Sequence, residues 1–316
     1  MVNKKVVSIL TITTVILVGL YIFVGINSSN FGYFFPRRLT RILGIILVGL
    51  TISISTVIFQ ALTNNKILTP NMLGFDSMYV LSQTTMVFFF GQMSIINTNN
   101  QLNFFITLIV MVLLSSVLYG LLFKKMGSQI IAMLMIGIIL STLFRSFSSF
   151  LQMIMDPNEF SIIQDRSFAS FNNMNTNILW YAVILTFVVF IIISEDLIKL
   201  DVVALGKEHA INLGINYDKF SRKQLILIST LIAIATSLVG PIMFLGLLVV
   251  NIARVISKTY KHTSLIILSF LISLVFLIGG QLVLERIFNF ALPLNIVINF
   301  VGGMYMLYLL KKEMTL

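Results

Sequence analysis

Apolar runs of near-membrane length recur along this 316-residue chain at 6–26, 39–60, 72–91, 103–123, 130–154, 177–194, 222–239, 242–257, 264–284 and 294–310. A helix needs about 20 apolar residues to cross the hydrocarbon core, where no backbone polar group can be left unpaired. The pattern predicts an all-α integral membrane protein of about ten transmembrane helices forming one domain over 1–316, with no soluble domain at either end. Hydrophobic residues make up 58% and only 10% are charged, against an apolar share of roughly 45–50% in soluble domains. The first run follows Lys4 and Lys5 as in a secretory leader. Its reach from Val6 to about Val24 exceeds the apolar core of such a leader, about 7–15 residues, so it reads as an uncleaved first span.

The net charge of +10 does not form the single basic stripe that a nucleic-acid face requires. An even number of spans puts both termini on one side. With the termini in the cytoplasm, Lys4, Lys5, Lys66, Lys124, Lys125, Lys199, Lys207, Lys219, Arg222, Lys223, Arg254, Lys258, Lys261, Lys311 and Lys312 all lie inside. Arg37, Arg38, Arg41, Arg166 and Arg286 then face out, and Arg145 falls within a span. This asymmetry is the positive-inside pattern of a multi-pass protein of the plasma or inner membrane. The chain has no cysteine, which removes disulfides, thiolate metal sites and cysteine nucleophiles.

Glycines at 44, 49, 137, 279, 280, 302 and 303 fall within the spans, where small residues let helix backbones approach closely. Gly240-Pro241 predicts a tight outward turn or a broken helix between two short apolar runs. The longest polar interruption, about 195–218, contains Leu205-Gly206-Lys207-Glu208-His209-Ala210 and then Leu213-Gly214. Leu205, Ala210 and Leu213 can form the apolar side of a short helix bracketed by the two glycines. From the residues alone, a knob offered to a partner and a plain connecting loop are equal readings.

The pattern LG-x-x-x-A-x-x-LG at 205–214, one span, then G-P-I-x-F-x-G-L-x-V-x-x-x-A-R at 240–254, resembles the FecCD family of ABC-transporter permeases. Further segments agree: Arg38-Leu-Thr-Arg41, Gln60-Ala-Leu-Thr-Asn64, Pro70-Asn-Met-Leu73-Gly74, Leu292-Pro293, Gly302-Gly303 and Tyr308 to Lys311. The resemblance implies a type II importer permease that carries ferric siderophores, haem or vitamin B12. It also implies a second permease subunit, identical or merely related, two cytoplasmic ATPase subunits and an extracytoplasmic binding lipoprotein. Leu205, Gly206, Glu208, Ala210, Leu213 and Gly214 become the helix that couples to the ATPase. No G-x-x-x-x-G-K-[ST] phosphate loop occurs in the chain, so ATP and Mg belong to the partner ATPase, and no enzymatic role or bound cofactor is expected here.

The resemblance also gives Arg38, Arg41 and Arg286 a role in docking acidic residues of the binding protein; the competing role is interfacial snorkelling. The fifth span lines the central pathway in the family. Arg145, with Ser146 and Ser149, is then placed to attract a passing anionic complex, or Arg145 pairs with Asp76 or a backbone carbonyl. Val250-Asn251 replaces the Pro-His of many members, and Gly74-Phe75-Asp76-Ser77 replaces a small pair. These departures resemble the branch serving catechol-type siderophores and weaken transfer from haem or vitamin B12 importers.

His209 and His262 lie in predicted cytoplasmic loops without metal-ligand spacing. Asp156 to Glu159 and Asp165-Arg166 read as solvated outer-loop charges. Of eleven acidic residues only Asp76 and Glu285 lie in or near spans, which weakens an ion-gradient-driven secondary transporter needing buried carboxylate relays. A membrane enzyme would need an H-E-x-x-H, a G-x-S-x-G or paired intramembrane acids, and the chain has none of these.

Overall fold

The computed structural model describes residues 4–25, 30–126, 130–172, 174–257, 259–289 and 292–314, and gives 118–126, 130–134, 309–310 and 312–314 as backbone alone. Lys258 and the side chains of Lys124, Lys125 and Lys312 lie outside the described residues. The described chain is helical: α1 (Lys4–Phe23), α2 (Phe31–Thr63), a 3-10 turn (Pro70–Leu73), α3 (Phe75–Phe90), α4 (Ile95–Thr98), α5 (Asn100–Met126) and α6 (Ile130–Met153). There follow α7 (Pro157–Ser167), α8 (Thr176–Ser194), α9 (Leu197–Val203), α10 (Lys207–Asn212), α11 (Tyr217–Val239), α12 (Leu245–Ile256), α13 (His262–Arg286) and α14 (Leu294–Met314).

Each predicted apolar run coincides with a helix, and seven helices among the described residues are long and apolar enough to cross a membrane. The run at 242–257 is a correction in length. Its helix, α12, has 12 residues, about 18 Å at 1.5 Å per residue, well short of a hydrocarbon core of about 30 Å. Gly240 makes the break. Its φ of +94° ends α11, and an added Cβ would meet the Phe168 carbonyl oxygen and Ala169 Cα at 3.1 Å.

The centre of the bundle is α2 with α11, buried over 83% and 67% of their apolar windows, whereas α1 and α6 are buried over 11% and 17% of theirs. Two hydroxyls in this core are satisfied within α2 itself, whereas Ser53 Oγ is buried without a partner among the described residues. Thr51 donates to the Leu47 and Val48 carbonyls at 3.0 Å and Ser55 to the Ile52 carbonyl at 3.0 Å, so they add small volume without orphaned hydroxyls. The expected close packing of glycines holds at Gly49, where a Cβ would lie 2.6 Å from Ser273 Oγ, and at Gly137, 2.6 Å from Leu73. Gly279 and Gly303 have nothing within 4 Å, so close packing does not account for them.

The segment after α6 forms a helix instead of a plain loop, with Asp156 and Asp165 exposed as expected and Arg166 the exception. Asp156 caps the new helix α7 by accepting from Asn158 N at 3.1 Å, with Pro157 at its first position. Arg166, expected to be solvated, donates to Gln83 Oε1 at 2.7 Å and to the Asn97 carbonyl at 2.9 Å. It thereby ties α7 to α3 and α4.

Candidate functional site

At the end of the bundle carrying α9 and α10, two carboxylates fasten the short helices to long ones. Asp196, whose side chain is 4% exposed, accepts from Lys199 at 3.0 Å, Lys223 at 2.6 Å and Gln224 at 2.8 Å. Burial alone would raise its carboxyl, but the hydrogen bonds and charges of Lys223 and Lys199 outweigh it and hold the group below the usual carboxylate range. Asp201, at the other side of α9, accepts from the His262 backbone N–H at 2.9 Å and contacts His262 Nδ1 at 2.6 Å. One helix is therefore pinned to both α11 and α13. Sequence reasoning placed His262 in a loop without a carboxylate partner. It is buried, and its partner lies 61 positions away.

The predicted short helix is present as α10, with Gly206 at φ +112° before it and Gly214 at φ +82° after it. The expected apolar side is corrected. Ala210 is fully buried, whereas Leu205, Ile211 and Leu213 are 63%, 50% and 64% exposed. The reason is placement: Leu205 and Leu213 lie just beyond the helix ends, so they do not share the inward face of Ala210. Glu208 is exposed, and Lys207 reaches Asp218 at 3.3 Å.

The segments that carried the family resemblance meet in space. Gln60 donates to the Lys66 carbonyl at 2.7 Å and accepts from Arg254 at 3.0 Å. Asn251, at the departure position, donates to the same Lys66 carbonyl at 3.1 Å. Asn71 of the Pro70 to Gly74 segment donates to the Ile242 carbonyl at 2.8 Å. Side-chain amides thus satisfy backbone carbonyls left open after α2 and before α12, as a bilayer demands, and the Arg254 guanidinium holds the Gln60 amide in place.

On α6, Arg145, Ser146 and Ser149 line one open groove of about 750 Å³ with Ser141, Met72 and Met243. Arg145 is exposed to that groove and among the described residues makes no ion pair, although Asp76 is close enough to feel its charge. One carboxylate oxygen of Asp76 is buried without a hydrogen-bond partner, and its neighbour Ser77 meets Ser141 at 2.8 Å.

At the opposite end the three expected docking arginines differ. Arg38 is 5% exposed. It donates to the carbonyls of Tyr21, Ile22 and Val24 at 2.9, 3.0 and 2.8 Å and pairs with Glu285 at 2.7 Å. The end of α1 leaves carbonyls without intrahelical partners, and this buried guanidinium caps them, so a docking role does not fit Arg38. Arg286 is exposed and also bonds the Val24 carbonyl. Arg41 is half-buried and reaches the Tyr21 hydroxyl at 3.5 Å. With Arg37, which sequence reasoning did not single out, Arg41 lines a cavity of about 460 Å³.

The FecCD transport family model matches residues 27–312. The chain belongs to that family. Among FecCD relatives, it is 47% identical to the petrobactin import system permease protein YclO of Bacillus subtilis (strain 168), over 98% of both chains. It is 33% identical to the petrobactin import system permease protein FatC of Bacillus anthracis, over 93% of this chain and 83% of that one. A solved ABC transporter of metal-chelate type, in an inward-facing conformation, superposes with a TM-score of 0.84 at 22% identity over 98% and 99% of the two chains. At that identity the likeness shows the fold, which is that of an ABC-transporter permease. The protein is a multi-pass membrane permease.

Proposed function

We propose that this chain is one of two permease subunits of an ATP-driven importer of ferric siderophores, of catechol type. The observation that carries the reading is the end-to-end 47% identity to a petrobactin import permease, which leaves no large segment for a different cargo site. The whole chain acts as one permease domain and forms half of the pathway. The groove at Arg145, Ser146 and Ser149 is its polar wall, where one guanidinium attracts an anionic iron complex.

In this reading both termini are cytoplasmic. Two ATPase subunits hold ATP and Mg and engage α10 through Leu205, Glu208, Ile211 and Leu213, with Gly206, Ala210 and Gly214 setting its pose. Coupling requires that α10 bind the two ATPase states with different affinity. An extracytoplasmic lipoprotein delivers the siderophore and docks on Arg41 and Arg286, joined by Arg37. The second permease is identical or related.

Reconstitution tests this. The chain with its co-purified partners in vesicles should take up labelled iron from a catechol siderophore only with ATP and a loaded binding protein, whose addition stimulates hydrolysis. Accumulation by the chain alone on a proton or sodium gradient would refute the reading. Equal uptake of haem or vitamin B12 would refute the substrate class.

A further inference from the structure

Beside α10 a cavity of about 300 Å³ opens between the start of α9 and the first turns of α11. Lys199, Lys219, Lys223 and Asp196 line it together with Ile215 and Phe220. Three ammonium groups face one carboxylate, so the cavity keeps an excess of positive charge. Asp196 offsets one of the three charges, and both of its oxygens already accept: Oδ1 from Lys199, Oδ2 from Lys223 and Gln224. An ammonium carries three donors, and Lys199 and Lys223 each spend one on Asp196 while staying 55% and 44% exposed. Lys219 is exposed as well. The cavity can therefore offer several strong donors to one compact anion.

The two long helices that meet near it carry exposed apolar residues. In the last part of α8, before Asp196, Phe187, Phe190 and Ile191 are 63%, 39% and 46% exposed. On α11, Ile226 follows Lys223 by about one turn and is 45% exposed. A basic pocket at the start of the spanning helix α11 and just past the end of the spanning helix α8, with exposed apolar residues along both, matches a molecule with an anionic head and hydrocarbon tails. We infer that this cavity binds the phosphate headgroup of an anionic phospholipid in the leaflet on the coupling-helix side, with acyl chains along α8 and Ile226. Asp196 then has two roles, spacing the lysines and holding α9 on α11, so a lipid seated there rests against the same joint that carries α10.

Native mass spectrometry of the full chain, purified in mild detergent with phosphatidylglycerol or phosphatidylcholine, tests the inference. Phosphatidylglycerol should be retained preferentially. The paired substitution Lys199→Gln, Lys219→Gln should weaken that retention roughly 30-fold, at about fivefold per lysine, and leave phosphatidylcholine unchanged. The pair Lys199→Arg, Lys219→Arg should keep it, which separates lost charge from lost fold. A control pair on α1, Lys4→Gln and Lys5→Gln, should change retention less than twofold. Four results would each overturn the assignment: equal losses in the α1 control, no loss in the glutamine pair, displacement of the lipid by millimolar inorganic phosphate, or its complete displacement by added ATPase subunit. The third would mark a soluble-anion site and the fourth part of the ATPase contact.

Discussion

Replacing Asp196 with alanine tests whether the joint between α9 and α11 is a structural clamp or an incidental surface pairing. The structure allows its cost to be apportioned. Lys199 and Lys223 are 55% and 44% exposed, so water takes over when the carboxylate is lost, and each pairing contributes only about 0.2–1 kcal/mol. Gln224 is buried at 1% exposure, and its amide nitrogen loses its acceptor. An orphaned buried donor costs about 1–3 kcal/mol, which makes the buried amide, not the two ion pairs, the larger contribution. The total is about 3 kcal/mol, or a fall of roughly 6 °C in melting temperature at about 2 °C per kcal/mol for a chain of this size.

Asp218→Ala supplies the contrast. That carboxylate is 64% exposed and meets Lys207 at 3.3 Å, a pairing worth about 0–1 kcal/mol. Thermal unfolding of both variants in one detergent should separate them by several degrees. The pH dependence has a definite sign. A carboxyl held below its ordinary value contributes its stability in full above the unfolded value near 3.9, and loses it as pH falls through the folded value. The gap between the parent protein and Asp196→Ala should stay constant from about pH 7 to 5 and narrow only below about pH 4. Equal shifts for the two variants, or a gap that closes near neutrality, would refute the account of the joint.

Arg38→Gln should cost about 3–5 kcal/mol, because Glu285 loses its cation and the α1 carbonyls lose their cap; a large drop in the monodisperse peak on size exclusion checks this, and unimpaired folding would restore docking as its role. Ile211→Asp with Leu213→Asp should leave the melting temperature within about 2 °C, since both are at least half exposed, yet abolish stimulation of the ATPase by loaded binding protein. Arg145→Gln should reduce uptake of anionic siderophores tenfold or more and neutral ones far less; equal losses in labelled-iron uptake would count against a pathway role.

What the sequence made legible follows from the range of the physics. Apolar length is a local property, so each span could be located, but helix starts were set late wherever charge interrupts the apolar run. The second span was expected from 39 and α2 begins at Phe31, because the helix absorbs Arg38 through internal carbonyls and Glu285. The seventh was expected from 222 and α11 begins at Tyr217, where Asn216 accepts from Lys219 N at 3.1 Å. Partnerships across the chain carry no local signal. Arg38 and Glu285 are 247 positions apart and Asp201 and His262 61 apart, and the usable hint was only that each charge abuts an apolar run. Asp156-Pro157 was a readable start for α7, a cap followed by proline, but the segment lacks the apolar length that drew attention elsewhere.

The same chemistry serves opposite purposes at the two ends. At the end of the bundle where α1 finishes, a buried cation gathers carbonyls and one carboxylate, which fixes α1 to α2 and α13. At the other end two carboxylates fix α9 to α11 and α13, and α9 leads directly through Gly206 into α10. A push on α10 therefore does not stop in a loop. It reaches α11, which packs on α2 and α5, and α13, which packs on α2 and α1. Both routes converge on α2, the most buried helix of the bundle. Because well-packed interiors transmit strain and do not absorb it, displacement at α10 must move this core as a unit or break one of the two clamps. Cutting either clamp should accordingly uncouple ATP hydrolysis from uptake while the ATPase still binds, a separation that loss of the exposed leucines on either side of α10 would not produce.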